Sequence, residues 1–564
     1  MKKLRLKEKT MENNKQTGAH VLKGAMILSI AVFISKIIGI LYRIPLTNAI
    51  GNSGNGIFGP SFQVYMVMLT LSSVALPTAI SKMVSERRAI GAYEDAHKVY
   101  KVAMIYSALV GAILSILLWI GADFISAFFF KIPQAAGSMR SLVPAVFLVS
   151  VMAVMRGYFQ GMSFMTPTAV SQVIEQFVNA VVSVTLAYTF ISKSLEAAVT
   201  GASFGTSAGA FFSLSVLVAI YFLIRPTIHK RINKSSVSTN ETNKEILKKL
   251  LIMSIPIMIS SSIFSIMGLI DYSMIYNILP KTIAKLSESG GLATLPISDP
   301  TVLANQTEIV SSLAGQFSAK YTSLINLPVS LILTLGMAVI PAISAATARN
   351  DFKEVRRKTN MVLKIGMLIA APAAVGLMVF GEQVIKFLYS SSPDGGQLLA
   401  YGSISIIFIT LAQITTGVLQ GMGKQSIPTI HAAIACGVKV IANLILLSMP
   451  SMHIYGVVHS TSICYLVYAV LNIIYLVRTI HIKLNLKKLV VKPVLVAGVM
   501  GGVSYLLFNF LVNIFGHANL MMLIVIPIAM MIYGILGLLT RTITIKDLEN
   551  MPGGNRIVRL LVRE

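Results

Sequence analysis

The sequence predicts an all-α polytopic membrane protein with about fourteen transmembrane helices, arranged as two parallel six-helix lobes and two extra C-terminal helices. Three observations predict it. The 564 residues are 55% hydrophobic and 12% charged, with a mean hydropathy of +0.77, which is more apolar side chain than a soluble domain can bury. The apolar stretches run for about 20 residues almost without charge, long enough to cross a bilayer as helices and far longer than the strands of a membrane barrel. Finally, "MRGYFQGMSFMTPTAV" at 155–170 is echoed by "TTGVLQGMGKQSIPTI" at 415–430, so Gly-x-x-Gln-Gly-Met occurs twice.

The spans are expected at 21–46, 59–84, 99–121, 141–161, 167–190, 197–224, 249–277, 318–346, 361–380, 397–421, 428–448, 454–477, 493–514 and 519–540. Gly and Pro punctuate many of them, as membrane helices allow. Charge asymmetry tests this order. With the N-terminus inside, inner segments hold about 37 of the 47 Lys and Arg, as the positive-inside rule requires. These segments include the tail up to Lys23, "SKMVSERRAIGAYEDAHKVYK", "RPTIHKRINKSSVSTNETNKEILKK", "RNDFKEVRRKTNMVLK", "RTIHIKLNLKKLVVK" and the last 24 residues. Outer loops such as "TNAIGNSGNG" carry few. Even parity then puts both termini in the cytoplasm. The net charge of +26 follows from topology; it points to anionic lipid headgroups beside the inner loops rather than to nucleic acid. The N-terminal stretch is basic and has no small-residue cleavage site, so it reads as a cytoplasmic tail over 1–20,. Cys436 and Cys464 lie inside apolar spans, with no disulfide framework and no metal-ligand spacing,.

The echoed phrase falls at the inner ends of spans four and ten, so spans one to six repeat as seven to twelve. Pro77 and Pro341 are 264 apart, Gly157 and Gly417 260, and Pro167 and Pro428 261. Gly39 and Gly268 are only 229 apart, which places one insertion in the outer segment 278–317. Six spans per repeat make the lobes parallel, an arrangement in which transporters bind cargo near mid-membrane and alternate access. The expected organisation is a basic tail 1–20, an N-lobe 21–224, a cytoplasmic linker 225–248, a C-lobe 249–480, two extra spans within 481–540 and a cytoplasmic tail 541–564. The repeated glycines read as close-packing positions, as does Gly201-x3-Gly205-x3-Gly209,.

Charges at membrane depth cost about 2.5–3.5 kcal/mol each on insertion scales, so each asks for a reason. Lys36 lies past the middle of span one, and Arg43 is two turns further on the same face,. Together they suit a pyrophosphate; the alternatives are a buried structural pair for Lys36 and snorkelling for Arg43. Asp271, late in span seven, has three readings: a structural pair with the span-one cations, a Na+ site, or a proton site. Gln172, Glu175 and Asn179 form a polar stripe on span five, and Lys439 and Asn443 another on the repeat-related span eleven,. Glu175, Asn179 and Lys439 are therefore candidates for the lining of a central cavity, with packing the alternative. Arg156 reads as an interface anchor.

"SKIIGILYR" in span one, "LPTAISKMVSE" ending span two and "RGYFQGM...PTAVSQVIEQ" in spans four and five resemble the polysaccharide-transporter branch of the multidrug/oligosaccharidyl-lipid/polysaccharide (MOP) exporter superfamily. Within it they are most similar to the stage V sporulation protein B and MurJ/YtgP-type lipid II flippase groups. The resemblance covers nearly the whole chain. It implies a V-shaped, two-lobe, MATE-like transporter in the bacterial cytoplasmic membrane that flips an undecaprenyl-pyrophosphate-linked saccharide outward for cell-wall or spore-cortex synthesis. It further implies that spans one and seven line the cavity and that the two extra spans shape a groove for the lipid tail. The better-known lipid II flippases use several cavity arginines; here Lys36 follows the span-one serine, Arg43 stands near a second expected charge, and Lys320 is the cation nearest to span eight. A monomer with no cofactor is expected, coupled to Na+, H+ or membrane potential, with cell-wall synthesis enzymes as partners. Another surface-polysaccharide lipid as cargo and a cation-coupled drug exporter are the alternative readings. Enzyme signals are missing: "GVLQGMGKQ" departs from a phosphate loop in glycine spacing and has Gln425 where Ser or Thr belongs,.

Overall fold

A computed structural model describes residues 27–233, 235, 237, 238, 240–544 and 547. The expected tail 1–20, the start of span one and nearly all of the C-terminal tail lie outside the described residues. Among those described there is no β-strand; the elements are α-helices with short 3-10 and π-helical turns. Long apolar segments demand this, because a helix satisfies its backbone hydrogen bonds internally and lipid offers no alternative partners.

Among the described residues, eleven helices are long and apolar enough to cross a membrane, or twelve if the bent pair Gly396–Gly402 and Ser405–Gly421 forms one span. This is fewer than the fourteen expected, and the difference falls in two places. The first two expected spans run together as one helical stretch, Ile27–Ala89. The loop expected between them is helical apart from Gly51, where φ is 66° and ψ −171°; a residue without Cβ enters that conformation without steric cost. The expected span eight is the helix Ser323–Ala348, entered through the π-helix Gln316–Thr322, and stands outside that count.

The chain forms two compact units. One holds the residues up to Ile50 and Ile57–Leu269; the other holds Gly51–Gly56 and everything from Ile270. The division falls within the helix Asn243–Glu288 rather than in the linker. The linker itself is shorter than the expected 225–248, because the helix Leu195–Ile232 runs into it and Asn243–Glu288 begins before its end. Glu241 anchors what remains. Its carboxylate pairs with Arg87 and Lys249, and Lys98 donates to its carbonyl.

The echoed glycines are close-packing positions in both units. In the first, a Cβ at Gly161 would stand 2.6 Å from Val84 Cβ, on the helix Leu76–Ala89. In the second, a Cβ at Gly421 would stand 2.9 Å from Ile343 Cβ, on Ser323–Ala348. Each glycine thus presses the end of the tenth or fourth expected span onto the end of the eighth or second. Around Gly161 lies a core that includes Ile80, Met83, Val84, Val154 and Phe159; around Gly421 lies one that includes Ile343, Val355, Val418 and Leu419. Gly209 serves the pair Thr166–Phe190 and Leu195–Ile232: a Cβ there would lie 2.5 Å from the Glu175 carbonyl oxygen.

Within the second unit, the insertion forms the short helices Pro300–Leu303 and Gln306–Gly315. The hexapeptide Gly51–Gly56 packs on the latter. Gly56 meets the Ser311 backbone and Gly315 the Asn52 backbone, while Tyr276 Oη donates to the Gly56 carbonyl at 2.9 Å. Lys320 is fully buried within the protein; it donates to Ser392 Oγ at 3.0 Å and to the Asp394 carbonyl at 2.6 Å.

Candidate functional site

Each unit carries polar side chains at membrane depth. In the first, Lys36 is exposed on the helix over 27–41 and makes no ion pair among the described residues. Ser35, Gly39, Arg43 and Thr47 recur every four residues and so share one helix face,. Ser35 Oγ, Arg43 Nη1 and Thr47 Oγ1 are buried and have no hydrogen-bond partner among the described residues. The Arg43 guanidinium lies 4.8 Å from the Phe58 ring centroid and 5.7 Å from that of Phe62. The ring faces attract and orient the cation without neutralising it. Gly39 brings this face close to the helix that carries the span-five stripe, for a Cβ there would meet Gln176 Oε1 at 3.3 Å.

That stripe belongs to the helix Thr166–Phe190, which starts with Pro167 in its first turn, where a missing N–H costs nothing. Glu175 accepts from Arg156 Nη2 at 2.7 Å, and Arg156 also donates to Ser171 Oγ at 3.0 Å and Ser213 Oγ at 3.1 Å. Arg156 is therefore the counter-ion of Glu175, not an interface anchor. The guanidinium fork matches one carboxylate and two hydroxyls, so the pair is also hydrogen-bonded to neutral neighbours. Asn179, one turn on, accepts from Ser183 Oγ at 2.9 Å and is buried. Its polar atoms bind the helix packing rather than extend the charged part of the stripe.

In the second unit, Asp271 is buried with both oxygens committed. Oδ2 pairs with Lys439 Nζ, and Oδ1 accepts from Asn443 Nδ2 at 2.8 Å. Ser460 Oγ donates to Asn443 Oδ1. Lys439 and Asn443 are one turn apart on Ser426–Leu447, so a single helix face supplies both partners,. Asp271, for which the sequence leaves the span-one cations, Na+ and a proton all open as partners, takes its cation from the eleventh expected span. Cys436 and Cys464 are free thiols.

Residues 21–347, more than half of the chain, match the family described as "Polysaccharide biosynthesis protein". The chain belongs to that family. Residues 300–526 match a second family, "Lipid II flippase MurJ". The chain is 24% identical to the lipid II flippase MurJ of Bacillus subtilis (strain 168), over 85% of this chain and 86% of that protein. It is 23% identical to stage V sporulation protein B of the same organism, over 77% of this chain and 79% of that protein. A solved structure of lipid II flippase MurJ in an inward closed conformation has the same fold: TM-score 0.61 at 15% identity, covering 92% of this chain and 99% of that one. These matches place the family member in the polysaccharide and lipid II transporter branch of the MOP superfamily. It is a multi-pass membrane transporter and not an enzyme.

Within this family member, the sequence had marked every titratable group of both ion pairs but had not paired them. It missed Ser35, Thr47, Phe58, Phe62 and Ser460. For Ser35 and Thr47 a signal existed, their four-residue register with Arg43. For the two phenylalanines and Ser460 none existed, since an aromatic or a serine in a membrane span is ordinary filler. No group of three or more His, Cys, Asp or Glu suited to a metal occurs among the described residues.

Proposed function

We propose that the protein is a flippase that carries an undecaprenyl-pyrophosphate-linked saccharide, lipid II or a related peptidoglycan precursor, from the inner to the outer leaflet by alternating access. One observation carries the reading. Arg43 holds a buried N–H with no partner among the described residues, fixed over two phenyl rings, two helical turns along from the exposed Lys36,. Stranding a buried donor is unfavourable by about 1–3 kcal/mol, more for a charged group. The arrangement therefore favours an anionic ligand that completes it. A pyrophosphate offers oxygens to the guanidinium fork and to the lysine point charge together.

Two other pairs of membrane-depth charges are already neutralised, Arg156 with Glu175 and Lys439 with Asp271, and the buried Lys320 is held by Ser392 Oγ and the Asp394 carbonyl. That leaves the span-one cations as the groups free to answer an anion. It also weighs against a cation-coupled drug exporter, because Asp271 has an internal cation in place of a transported one. We assign the energy source to membrane potential acting on the charged cargo and cavity; one charge crossing 100 mV corresponds to about 2.3 kcal/mol.

The test is native mass spectrometry of lipid II on the purified protein, wild type beside Lys36→Ala and Arg43→Ala. Undecaprenyl phosphate and a phospholipid of similar charge serve as competitors. Selective binding that falls at least tenfold in Arg43→Ala is the expected result. Binding of lipid II no tighter than phospholipid would rule it out as cargo and favour another surface-saccharide lipid, which shares the pyrophosphate but not the sugar.

A further inference from the structure

The segment 478–492, "RTIHIKLNLKKLVVK", carries five Lys or Arg and no Asp or Glu. It leaves the helix Tyr455–Ile480 through His481, whose φ of 49° turns the chain. The next residues have no regular secondary structure, and burial alternates along them from His481 to Asn485. Ile480 and Ile482 are buried, with Leu484 packed against the same core as Val355 and Leu476. Alternation therefore puts His481 and Lys483 on the outside, where both are exposed. In the π-helix Lys487–Val491 that follows, Leu489 is buried and Lys487 and Lys488 are exposed.

Two features single out this surface. First, the ammonium groups of Lys483, Lys487 and Lys488 have no hydrogen bond or ion pair among the described residues, and Glu354 and Asp547 of the same unit are taken. Glu354, on the helix Phe352–Leu388 that packs against the same core, holds Arg357 and Lys358, and Asp547 holds Lys364. Second, apolar side chains stand among the lysines: Leu486 is 58% and Val491 46% exposed. A wholly aqueous surface would leave those apolar groups in water without compensation. A membrane interface accommodates both, with Leu and Val at the acyl boundary and ammonium groups among phosphates.

We propose that 481–492 is a docking strip for anionic phospholipid headgroups of the leaflet at which the Tyr455–Ile480 helix ends. Charge complementarity and interleaved apolar exposure name the occupant. The proposal is independent of what the transporter carries.

The test uses the full-length protein in nanodiscs. A fluorophore is attached at Thr479→Cys, with Cys436 and Cys464 replaced by Ser. Quenching is compared between brominated phosphatidylglycerol diluted in phosphatidylcholine and brominated phosphatidylcholine diluted in phosphatidylglycerol. We expect phosphatidylglycerol to be enriched at the label. The enrichment should fall about fivefold for each lysine replaced in Lys483→Gln, Lys487→Gln and Lys488→Gln. It should survive in the corresponding arginine variants and weaken at high salt in them and in wild type, but not further in the triple glutamine variant. Equal quenching by both lipids in the wild type overturns the proposal. So does enrichment unchanged in the triple glutamine variant, or loss of a co-purifying acidic protein from that variant with lipid enrichment intact. The lysines are exposed, so an unchanged melting temperature in the variants controls for folding.

Discussion

Replacing Lys439 with methionine would strand the buried Asp271 carboxylate. Breaking one partner of a buried pair is destabilising by about 3–5 kcal/mol, whereas replacing both partners is often near neutral. Lys439→Met should therefore lower the melting temperature in detergent strongly, and Asp271→Asn with Lys439→Met should restore most of it. A single variant as stable as wild type would show that the ammonium is not the counter-ion the geometry indicates. Arg43 behaves differently, because no acid is paired with it among the described residues. Arg43→Gln should leave the melting temperature nearly unchanged while it weakens lipid II binding. Arg43→Lys should recover only part of that binding, since a point charge lacks the fork. A variant that binds fully with glutamine at this position would remove Arg43 from the site.

Helix pairs are held by close backbone approach. Gly161→Leu should force Val84 and the Ser81 carbonyl away, and Gly421→Leu should do the same to Ile343 and the Ile340 carbonyl. Overpacking of this kind typically costs about 1–3 kcal/mol. Gly437→Leu, on Ser426–Leu447 with no atom within 4 Å of its Cβ position, should be close to neutral. Thermal unfolding of the three side by side checks this; equal loss in all three would refute the packing role.

The linker adds a pH-dependent contact. Partial burial raises the Glu241 carboxyl, but hydrogen bonds and charge from Lys249 and Arg87 outweigh it, leaving the group below its usual 4.5. A depressed carboxyl stabilises the folded state above its unfolded value and loses that contribution as pH falls through the folded one. Wild type should therefore exceed Glu241→Gln in stability by a constant amount above the ordinary carboxyl range, and the gap should close as pH falls through the depressed folded-state value,. A gap that persists at the acid end would show that the carboxylate charge is not what anchors the linker.

At the level of the whole transporter, an internal counter-ion at Asp271 means that flipping should not need Na+. In proteoliposomes, exchange of Na+ for choline should leave the rate of lipid II translocation unchanged, and an imposed potential should alter it. A strict Na+ requirement would sink the assignment of Lys439 as the resident cation. Translocation insensitive to potential would instead remove the proposed energy source.

The sequence alone determined the helical membrane class, the order of apolar segments and the duplicated phrase, because each follows from local composition and from spacing along the chain. It also marked which charges sit at membrane depth. Arg156, Glu175, Asp271 and Lys439 were all visible as costly groups. Only tertiary structure decided that they cancel in two pairs, because Glu175 and Arg156 are 19 residues apart and Asp271 and Lys439 168. No helical periodicity relates positions so distant. The same reason applies to Arg43: its register with Ser35 and Thr47 was written in the sequence, but the two rings that hold it, and the lack of an acid paired with it among the described residues, arise only from packing. The junction at Gly51 shows the converse limit. A glycine-rich run reads as loop from composition, yet one residue with positive φ suffices to turn the chain while its neighbours stay helical,.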